Sequence, residues 1–151
     1  MSEDHVLRLL DRHLSAENAH DLSGTLSTLV PDCEFVDETL GIRWSGHDGA
    51  AAHYTMWWNA FDLEVTGERL HLAGESAVAE TTWRGTHVGQ FADVAATGSE
   101  VEFSVAVVIT FRDGLMAGER FYWDAAGLAR QLGVESLQTA VTSTTNSGER
   151  S

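Results

Sequence analysis

The segment GERFYWDAAGLARQLG, residues 118–133, places three consecutive aromatic residues directly before an aspartate. That aspartate, Asp124, precedes a short helical pattern. Apolar surroundings raise the pKa of a carboxyl group towards neutral pH, which suits a general acid or base. Aspartate is also a preferred N-cap, and Gly133 has the spacing of a glycine that ends a helix. Spacing alone favours the cap, so Asp124 has two interpretations, a structural cap and a catalytic carboxylate.

Asp37 and the histidines are further candidates for a site. Asp37 ends the strand-like run CEFVD, and an aspartate in this position commonly binds the amides of the following turn. The seven histidines are scattered without carboxylates at ligand spacing, so we predict no metal site and expect most of them at the solvated surface. Cys33 is the only cysteine, which excludes an intrachain disulfide and a cysteine-based metal site.

An aromatic stripe follows helical spacing in residues 48–61. Its members are Ala50, His53, Tyr54, Trp57, Trp58 and Phe61. Such a stripe usually packs on a sheet, and we expect this of Phe61 and of one of the two tryptophans. A helix that covers a sheet can leave a gap near one end, and Tyr54 and Trp57 are predicted to line a small-molecule pocket there. His53 shares this face and is a further candidate, although core packing is more common for such a histidine.

These residues must be positioned by a mixture of helices and strands. Helical spacing predicts helices over residues 3–19 and 21–30, the second ended by Pro31. A strand follows over 33–40, and GIRWSG indicates a turn-rich connection. From Asp62 a period of two predicts strands over 62–73, 76–89, 99–112 and 115–124. Three helices followed by long strands predict an α+β fold, with the helices on one face of a curved, mainly antiparallel sheet.

The strand SEVEFSVAVVITFR is apolar on both faces in its second half. A sheet with one face towards helices and the other towards water normally alternates apolar and polar side chains. We therefore expect a second subunit to cover the outer face of this strand. The prediction is a homodimer that associates through the sheet.

The composition limits the class of protein. A chain of 151 residues has the size of one domain, placed at 1–133, and the polar segment 134–151 is predicted to be disordered. A net charge of −14 disfavours nucleic acids and anionic membranes as partners. The lack of lysine excludes Schiff-base, pyridoxal phosphate and Walker-type chemistry. No apolar run has membrane-spanning length and no signal-peptide pattern begins the chain, so we expect a cytoplasmic protein.

Four segments occur in a recognisable order: AENAHDLSGTLSTLVPDCEFVD, LGIRWSGHDGAAAHY, WRGTHVGQFADVAATGSEV and FRDGLMAGERFYWDAAGLARQLG. The most specific pieces are GTHVGQF with the later ATG, FRDG, and the closing YWD with RQLG. Their order resembles the SnoaL-like polyketide cyclase family, in the nuclear transport factor 2-like superfamily of cone-shaped α+β barrels. The resemblance covers about residues 5–133.

The resemblance implies a pocket between helices and a curved sheet, dimerisation through the sheet, and no metal or organic cofactor. In the family's cyclases an aspartate at the end of the last strand is the general acid/base of an intramolecular aldol ring closure. This position falls on Asp124. The family's cyclases also carry polar side chains on the strand before the last one, which polarise the substrate carbonyl. In this sequence only Thr110 is polar there, so His87 is expected to serve instead, with His53 and Tyr122 as lesser candidates.

Other activities in the superfamily remain open. Asp37 has the position of the base in ketosteroid isomerases, but Val107 and His13 replace the acid and the tyrosine of their oxyanion hole, which disfavours that reaction. Opening of an epoxide or closure of an oxygen heterocycle at Asp124 is an alternative, and so is a non-catalytic binding module. The predicted catalytic residues are Asp124, His87 and Tyr122. The predicted residues for binding a hydrophobic substrate are Asp37, His53, Tyr54, Trp57 and Thr110.

Overall fold

The structure, a computed structural model, describes residues 1–138. Four helices lie in this part of the chain: α1 (Glu3–Asn18), α2 (Leu22–Leu26), α3 (Gly46–Ala60) and α4 (Ala125–Leu132). The strands there are β1 (Leu29–Asp37), β2 (Ile42–Ser45), β3 (Phe61–Ala73), β4 (Ser76–His87), β5 (Glu100–Arg112) and β6 (Leu115–Trp123). These elements confirm the predicted α+β fold.

The six strands form one curved, open sheet in the order β2-β1-β6-β5-β4-β3. Neighbouring strands are antiparallel except β1 and β6, which are parallel. The tight turn between β5 and β6 holds Asp113 and Gly114 at φ values of 55° and 77°. Two successive left-handed residues match the twist of a hairpin. The turn therefore sets the register at the start of β6, and the pairing shifts once between Thr110 and Phe111.

The helices α1 and α3 pack on one face of the sheet and form a single core with it. Alternate residues of β5 point into this core: Val101, Phe103, Val105, Val107, Ile109 and Phe111. The ring of Trp57, on α3, lies 6.0 Å from that of Phe103 and 5.4 Å from that of Trp123. The aromatic stripe of α3 therefore packs on the sheet, as expected from its spacing.

Two segments differ from the sequence prediction. GIRWSG, predicted to be a connection, contains β2, which pairs with β1. The helix predicted over 21–30 ends at Leu26, and β1 begins at Leu29 and includes Pro31. Proline fits here because the pairing with β6 shifts register between Leu29 and Glu34. Its missing N–H therefore leaves no ladder hydrogen bond unmade.

The helix α1 is attached to the sheet at both ends. Near its start, His5 Nε2 lies 2.8 Å from the carbonyl oxygen of Gly114. At its end, the amide of Asn18 donates to the carbonyl of Val65 at 2.9 Å and accepts from the backbone N–H of the same residue at 2.8 Å. Asn18 thus pairs with β3 as a strand residue would, and α1 has a fixed position over the sheet.

The described chain continues beyond α4. Val134 and Leu137 pack against the core, and the backbone N–H of Gln138 donates to Asp93 at 3.0 Å. Ordered contacts therefore extend past residue 133, while 139–151, most of the segment predicted to be disordered, lie outside the described residues. Within residues 1–138, the helices lack the length and apolar character needed to cross a membrane.

Candidate active site

An apolar cavity of about 350 Å³ lies between α1 and the sheet. Its walls carry Leu10, Leu14, Val65, Ala79, Trp83, Val107, Ile109 and Phe121. Small-ligand sites are typically concave and mostly apolar, with a few polar groups that orient the ligand, and this volume falls within their usual range. The cavity is therefore the natural place for a hydrophobic small molecule.

Four polar side chains meet on the buried side of this cavity, and we call them the acid–imidazole cluster: His13, Glu17, Tyr54 and Glu119. The Tyr54 hydroxyl donates to Glu119 Oε1 at 2.6 Å and lies 3.1 Å from His13 Nε2. The same nitrogen is 3.5 Å from a carboxyl oxygen of Glu17 and 3.5 Å from one of Glu119. One imidazole thus lies between two carboxyl groups.

Simple periodicity positions the cluster. His13 and Glu17 are four residues apart and share one face of α1. Alternation along β6 places Glu119 on the same face as Phe121, towards the core. Tyr54 reaches the cluster from α3. The fold therefore brings together residues from a helix near the start of the chain and a strand near its end.

The surroundings of Glu119 keep its carboxyl group ionised. Burial by itself raises the pKa of a carboxyl group, but contact with His13 and the hydrogen bond from Tyr54 outweigh burial and lower the pKa of Glu119 below its ordinary value. Burial lowers the pKa of an imidazole, yet the charges of Glu119 and Glu17 raise the pKa of His13 above its ordinary value. Each of these two groups therefore favours the charged form of the other.

The pKa of Glu17 is shifted in the opposite direction. Its side chain is 12% exposed, and among residues 1–138 its carboxyl group makes no hydrogen bond. Burial raises the pKa of Glu17 to about 7, because the nearby charge of Glu119 adds to the shift and that of His13 only partly offsets it. A carboxyl group that titrates near neutral pH can both take and return a proton. Two carboxyl groups with oppositely shifted pKa values commonly have separate roles in acid–base catalysis.

The mouth of the cavity has both apolar and charged side chains, the exposed Asp11, Glu68 and Arg69 among them, and lies where β3 is irregular. Leu7 and Leu70 line the cavity and are 45% and 37% exposed. The pairing of β3 with β4 shifts register between Gly67 and Arg69. A bulge of this kind bends a strand. The bend lies at the entrance, so it helps to keep the entrance open.

Asp124 lies outside the cavity. Its side chain is 67% exposed and accepts a hydrogen bond from the backbone N–H of Gly127 at 2.9 Å, as the N-cap of α4. The structural cap, one of the two interpretations of this residue, is confirmed. The carboxyl group of Asp124 is not surrounded by the aromatic residues that precede it. Phe121 and Trp123 point to the core, while Asp124 follows the end of β6 and remains in contact with solvent.

Substitutions of Asp124 should therefore behave as substitutions of an N-cap. Asp124→Ala should lower the free energy of unfolding by about 1 kcal/mol, whereas Asp124→Asn should change it little, because asparagine caps helices as well as aspartate does. Denaturant unfolding measures both effects. Asp124→Asn should also retain turnover. A stable Asp124→Asn protein without turnover would show that Asp124 is catalytic.

The other two residues predicted to be catalytic, and Thr110, also lie away from the cavity. His87 is buried at the end of β4, where its Nδ1 accepts from the backbone N–H of Thr97 at 3.1 Å. Tyr122, 44% exposed, and Thr110 point to the outer face of the sheet. The structure does not bring the three predicted catalytic residues together, because His87 lies in the core at the end of β4, Tyr122 faces the outer side of the sheet and Asp124 caps α4.

Asp37 and Trp57 have structural contacts. Asp37 accepts from the backbone N–H of Leu40 at 2.7 Å, as predicted for an aspartate at a strand end, and from Trp123 Nε1 at 2.9 Å. Burial raises the pKa of Asp37, although these hydrogen bonds oppose the shift. Trp57 lies in the core and does not line the cavity.

Three of the seven histidines, His13, His53 and His87, are buried, and His53 has the core position that is common for a histidine on such a face. His53 stacks on Phe121 with ring centroids 4.6 Å apart, so it lies behind the cavity wall, and burial lowers its pKa to about 4. Among residues 1–138, no group of three or more His, Cys, Asp or Glu side chains is arranged to hold a metal ion.

A curved sheet with helices on one face and a pocket between them is the nuclear transport factor 2-like architecture. Within that class, the chain belongs to the SnoaL-like polyketide cyclase family, whose model matches residues 5–132. The match confirms the family predicted from the sequence. Among curated proteins, none matches this chain.

Solved structures show the same fold. TsrD from Streptomyces laurentii is 28% identical, with a TM-score of 0.78 over 88% of this chain and 98% of TsrD. AclR from Streptomyces galilaeus, named as a candidate hydroxylase, is 22% identical, with a TM-score of 0.76 over 87% and 98% of the two chains. A Catenulispora acidiphila protein with a ketosteroid isomerase-like fold is 15% identical, with a TM-score of 0.71 over 83% and 92%.

Proposed function

We propose that this protein is a cofactor-independent enzyme that closes a ring in a hydrophobic, polyketide-like natural product, with Glu17 as the general acid/base. The observation that carries this proposal is the position of Glu17, a carboxyl group with a pKa of about 7 beside an imidazolium in an apolar cavity. Membership of the SnoaL-like family supports the substrate class.

The reaction needs only proton transfer and a folded substrate. A C–H group between two carbonyls is already acidic, and the Glu17 carboxylate takes its proton. The carbon left with the electron pair attacks a second carbonyl of the same molecule, so a C–C bond forms and the carbonyl π bond breaks. The new alkoxide takes the proton back from Glu17, which restores the carboxylate. The cavity contributes by holding both reacting carbons close together.

The rest of the acid–imidazole cluster supplies charge and position. The positive charge of His13 stabilises the negative charge that develops on the substrate oxygen. Glu119 keeps His13 protonated, and the hydrogen bond from Tyr54 holds the carboxylate of Glu119 in place. Glu119 is then a positioning group, while Glu17 lines the cavity and its carboxyl group, 3.5 Å from His13 Nε2, makes no hydrogen bond among residues 1–138.

Isotope labels test the proposal directly. Incubation of the protein with β-polyketones in deuterated water should replace the acidic C–H with deuterium faster than buffer does, and a cyclic product should accumulate. Oxygen from labelled water in the product would indicate epoxide opening instead. Binding in the cavity without exchange or turnover across such compounds would indicate a binding module and contradict the proposal.

We also propose that two copies associate through the outer face of the sheet. Ala106 and Val108 are partly exposed there beside Tyr122, and a groove on this face combines Glu34 with Arg120. Both charge signs in one patch allow it to pair with its own copy.

Light scattering after gel filtration should give twice the monomer mass for the wild-type protein. Val108→Arg should give the monomer mass, because a charge without a partner is costly in an apolar interface. Leu72→Arg, which alters an exposed leucine on β3, is the matched control. A monomeric wild-type protein, or a dimer that survives Val108→Arg, would contradict this association.

A further inference from the structure

Thr28 contacts the edge of His13 opposite to the nitrogen that faces the two carboxyl groups. Its hydroxyl oxygen lies 2.7 Å from His13 Nδ1 and 2.6 Å from the carbonyl oxygen of Thr25. Thr25 and Thr28 are both fully buried, with 0% and 1% exposure. The positions of the protons therefore follow from the His13 ring, the Thr28 hydroxyl and the Thr25 carbonyl alone.

The two short distances allow one arrangement of protons. A carbonyl oxygen has no proton to donate, so an oxygen–oxygen distance of 2.6 Å requires the hydroxyl of Thr28 to donate to Thr25. The hydroxyl has no second proton, and its oxygen can only accept from His13. Nδ1 of His13 therefore carries a hydrogen. Because a neutral imidazole has one N–H, its Nε2 is then the nitrogen that gains and loses a proton.

We propose that Thr28 is a positioning residue that holds His13 in the Nδ1–H form and so directs Nε2 to Tyr54, Glu17 and Glu119. The tautomer follows from the contacts alone, and its consequence for turnover rests on the proposed function. Loss of the acceptor at Nδ1 leaves the ring in place but removes a hydrogen bond from its charged form, the form that stabilises the substrate oxygen in the proposed reaction.

The contact has a defined consequence for the cluster. With Nδ1–H bound to Thr28, a proton on Nε2 points to the Tyr54 oxygen, 3.1 Å away, while the Tyr54 hydroxyl donates to Glu119. Without an acceptor at Nδ1, neutral His13 is free to place its proton on Nε2. The positive form then loses one of its two hydrogen bonds, so it is formed less readily.

Nitrogen NMR of labelled protein tests the tautomer. Long-range nitrogen–proton spectra above the pKa of His13 should show Nδ1 protonated in the wild-type protein and in Thr28→Ser, which keeps the hydroxyl. Thr28→Val should shift the proton towards Nε2. Thr39→Val is the matched control, since the Thr39 hydroxyl also donates to a carbonyl and accepts from an N–H, both of Trp123 and outside the cavity.

Turnover tests the consequence. Thr28→Val should lower kcat by on the order of 10- to 100-fold, the usual effect of losing one hydrogen bond to a charged group, and should move the pH profile. Thr28→Ser should restore both, and Thr39→Val should change neither. Nε2–H in the wild-type protein, or unchanged spectra and pH profile in Thr28→Val, would overturn the proposal. The spectra need no substrate, so a failed search for turnover leaves the tautomer testable and contradicts only the proposed function.

Discussion

Glu17→Gln is expected to lower kcat by 10²- to 10⁴-fold, the usual contribution of a general acid or base. Glutamine has nearly the same shape and can still bind a substrate oxygen, so ligand affinity should change little. The measurement is turnover of a β-polyketone, with the dissociation constant of the same compound or its product measured by calorimetry. Glu68→Gln, at another carboxyl group that lines the cavity, is the comparison for a general effect of lost charge.

Glu17→Gln should also make the folded protein more stable above pH 7. Folding raises the pKa of Glu17 from 4.5 to about 7. The folded protein therefore holds more protons than the unfolded chain between these values, and stability falls as pH rises through this window. Glu17→Gln removes that loss and should raise the free energy of unfolding at pH 8 by about 3 kcal/mol, given 1.36 kcal/mol for each pKa unit. A variant that is more stable and inactive identifies a functional carboxyl group.

Two results would contradict this assignment. A Glu17→Gln protein with wild-type turnover shows that Glu17 is not the acid/base. Equal loss of turnover in Glu17→Gln and Glu68→Gln shows that the charge of the cavity matters and that no single carboxyl group transfers the proton. The pH dependence of stability is a separate test, because it measures the shifted pKa without any substrate.

Glu119→Gln is expected to lower the free energy of unfolding by about 3 kcal/mol near pH 6, because removal of one partner leaves a buried charge on His13. The pKa of His13 should fall, since Glu119 is the main cause of its rise. Denaturant unfolding and NMR titration of His13 measure the two effects. Gln is a matched replacement, as its amide oxygen can still accept from Tyr54.

The pH dependence of this loss has a defined sign. The pKa of Glu119 is lowered from 4.5, so its stabilisation is present above pH 4.5 and is lost as pH falls through its folded pKa. The pKa of His13 is raised from 6.5, so its stabilisation is present below pH 6.5 and is lost as pH rises through its folded pKa. The wild type and Glu119→Gln should therefore differ most between pH 4.5 and 6.5. In the double variant with His13→Gln the loss should be smaller than the sum of the single losses, and additive losses would show that the pair does not interact.

The main architecture was predictable because the hydrophobic period is helical in α3 and changes to two where β3 begins. The helical stripe of α3 and the alternation in β3 to β6 are strong signals, and each bounds an element to within a few residues. The strand β2 has four residues and pairs only with β1, so its sequence IRWS carries too few alternations to distinguish it from a turn. Pairing with a neighbour, rather than local preference, makes it a strand.

The candidate site was harder to predict. A catalytic carboxyl group is often buried among apolar side chains, and a sequence shows the burial of a residue only indirectly. Asp124 attracted the catalytic interpretation because aromatic residues precede it, yet it is exposed. Glu119 is the carboxyl group that alternation places in the apolar set of β6, and Glu17 lies one helical turn from His13. A charge in an apolar period is the signal that identifies both. The distance between Glu17 and Glu119 depends on how α1 crosses the sheet, and no local sequence pattern predicts that crossing.

The attachment of α1 at both ends also bears on how a ligand enters and leaves. His5 holds the first turn to the hairpin between β5 and β6, and Asn18 holds the last turn to β3. A helix fixed in this way cannot swing as a lid, so access depends on rotation of the side chains at the mouth, such as Leu7 and Leu70. Side chains of this kind change rotamer within nanoseconds, whereas hinge motions take microseconds to milliseconds. We therefore expect entry of a ligand to need no hinge motion, and the width between helix and sheet limits the thickness of the substrate.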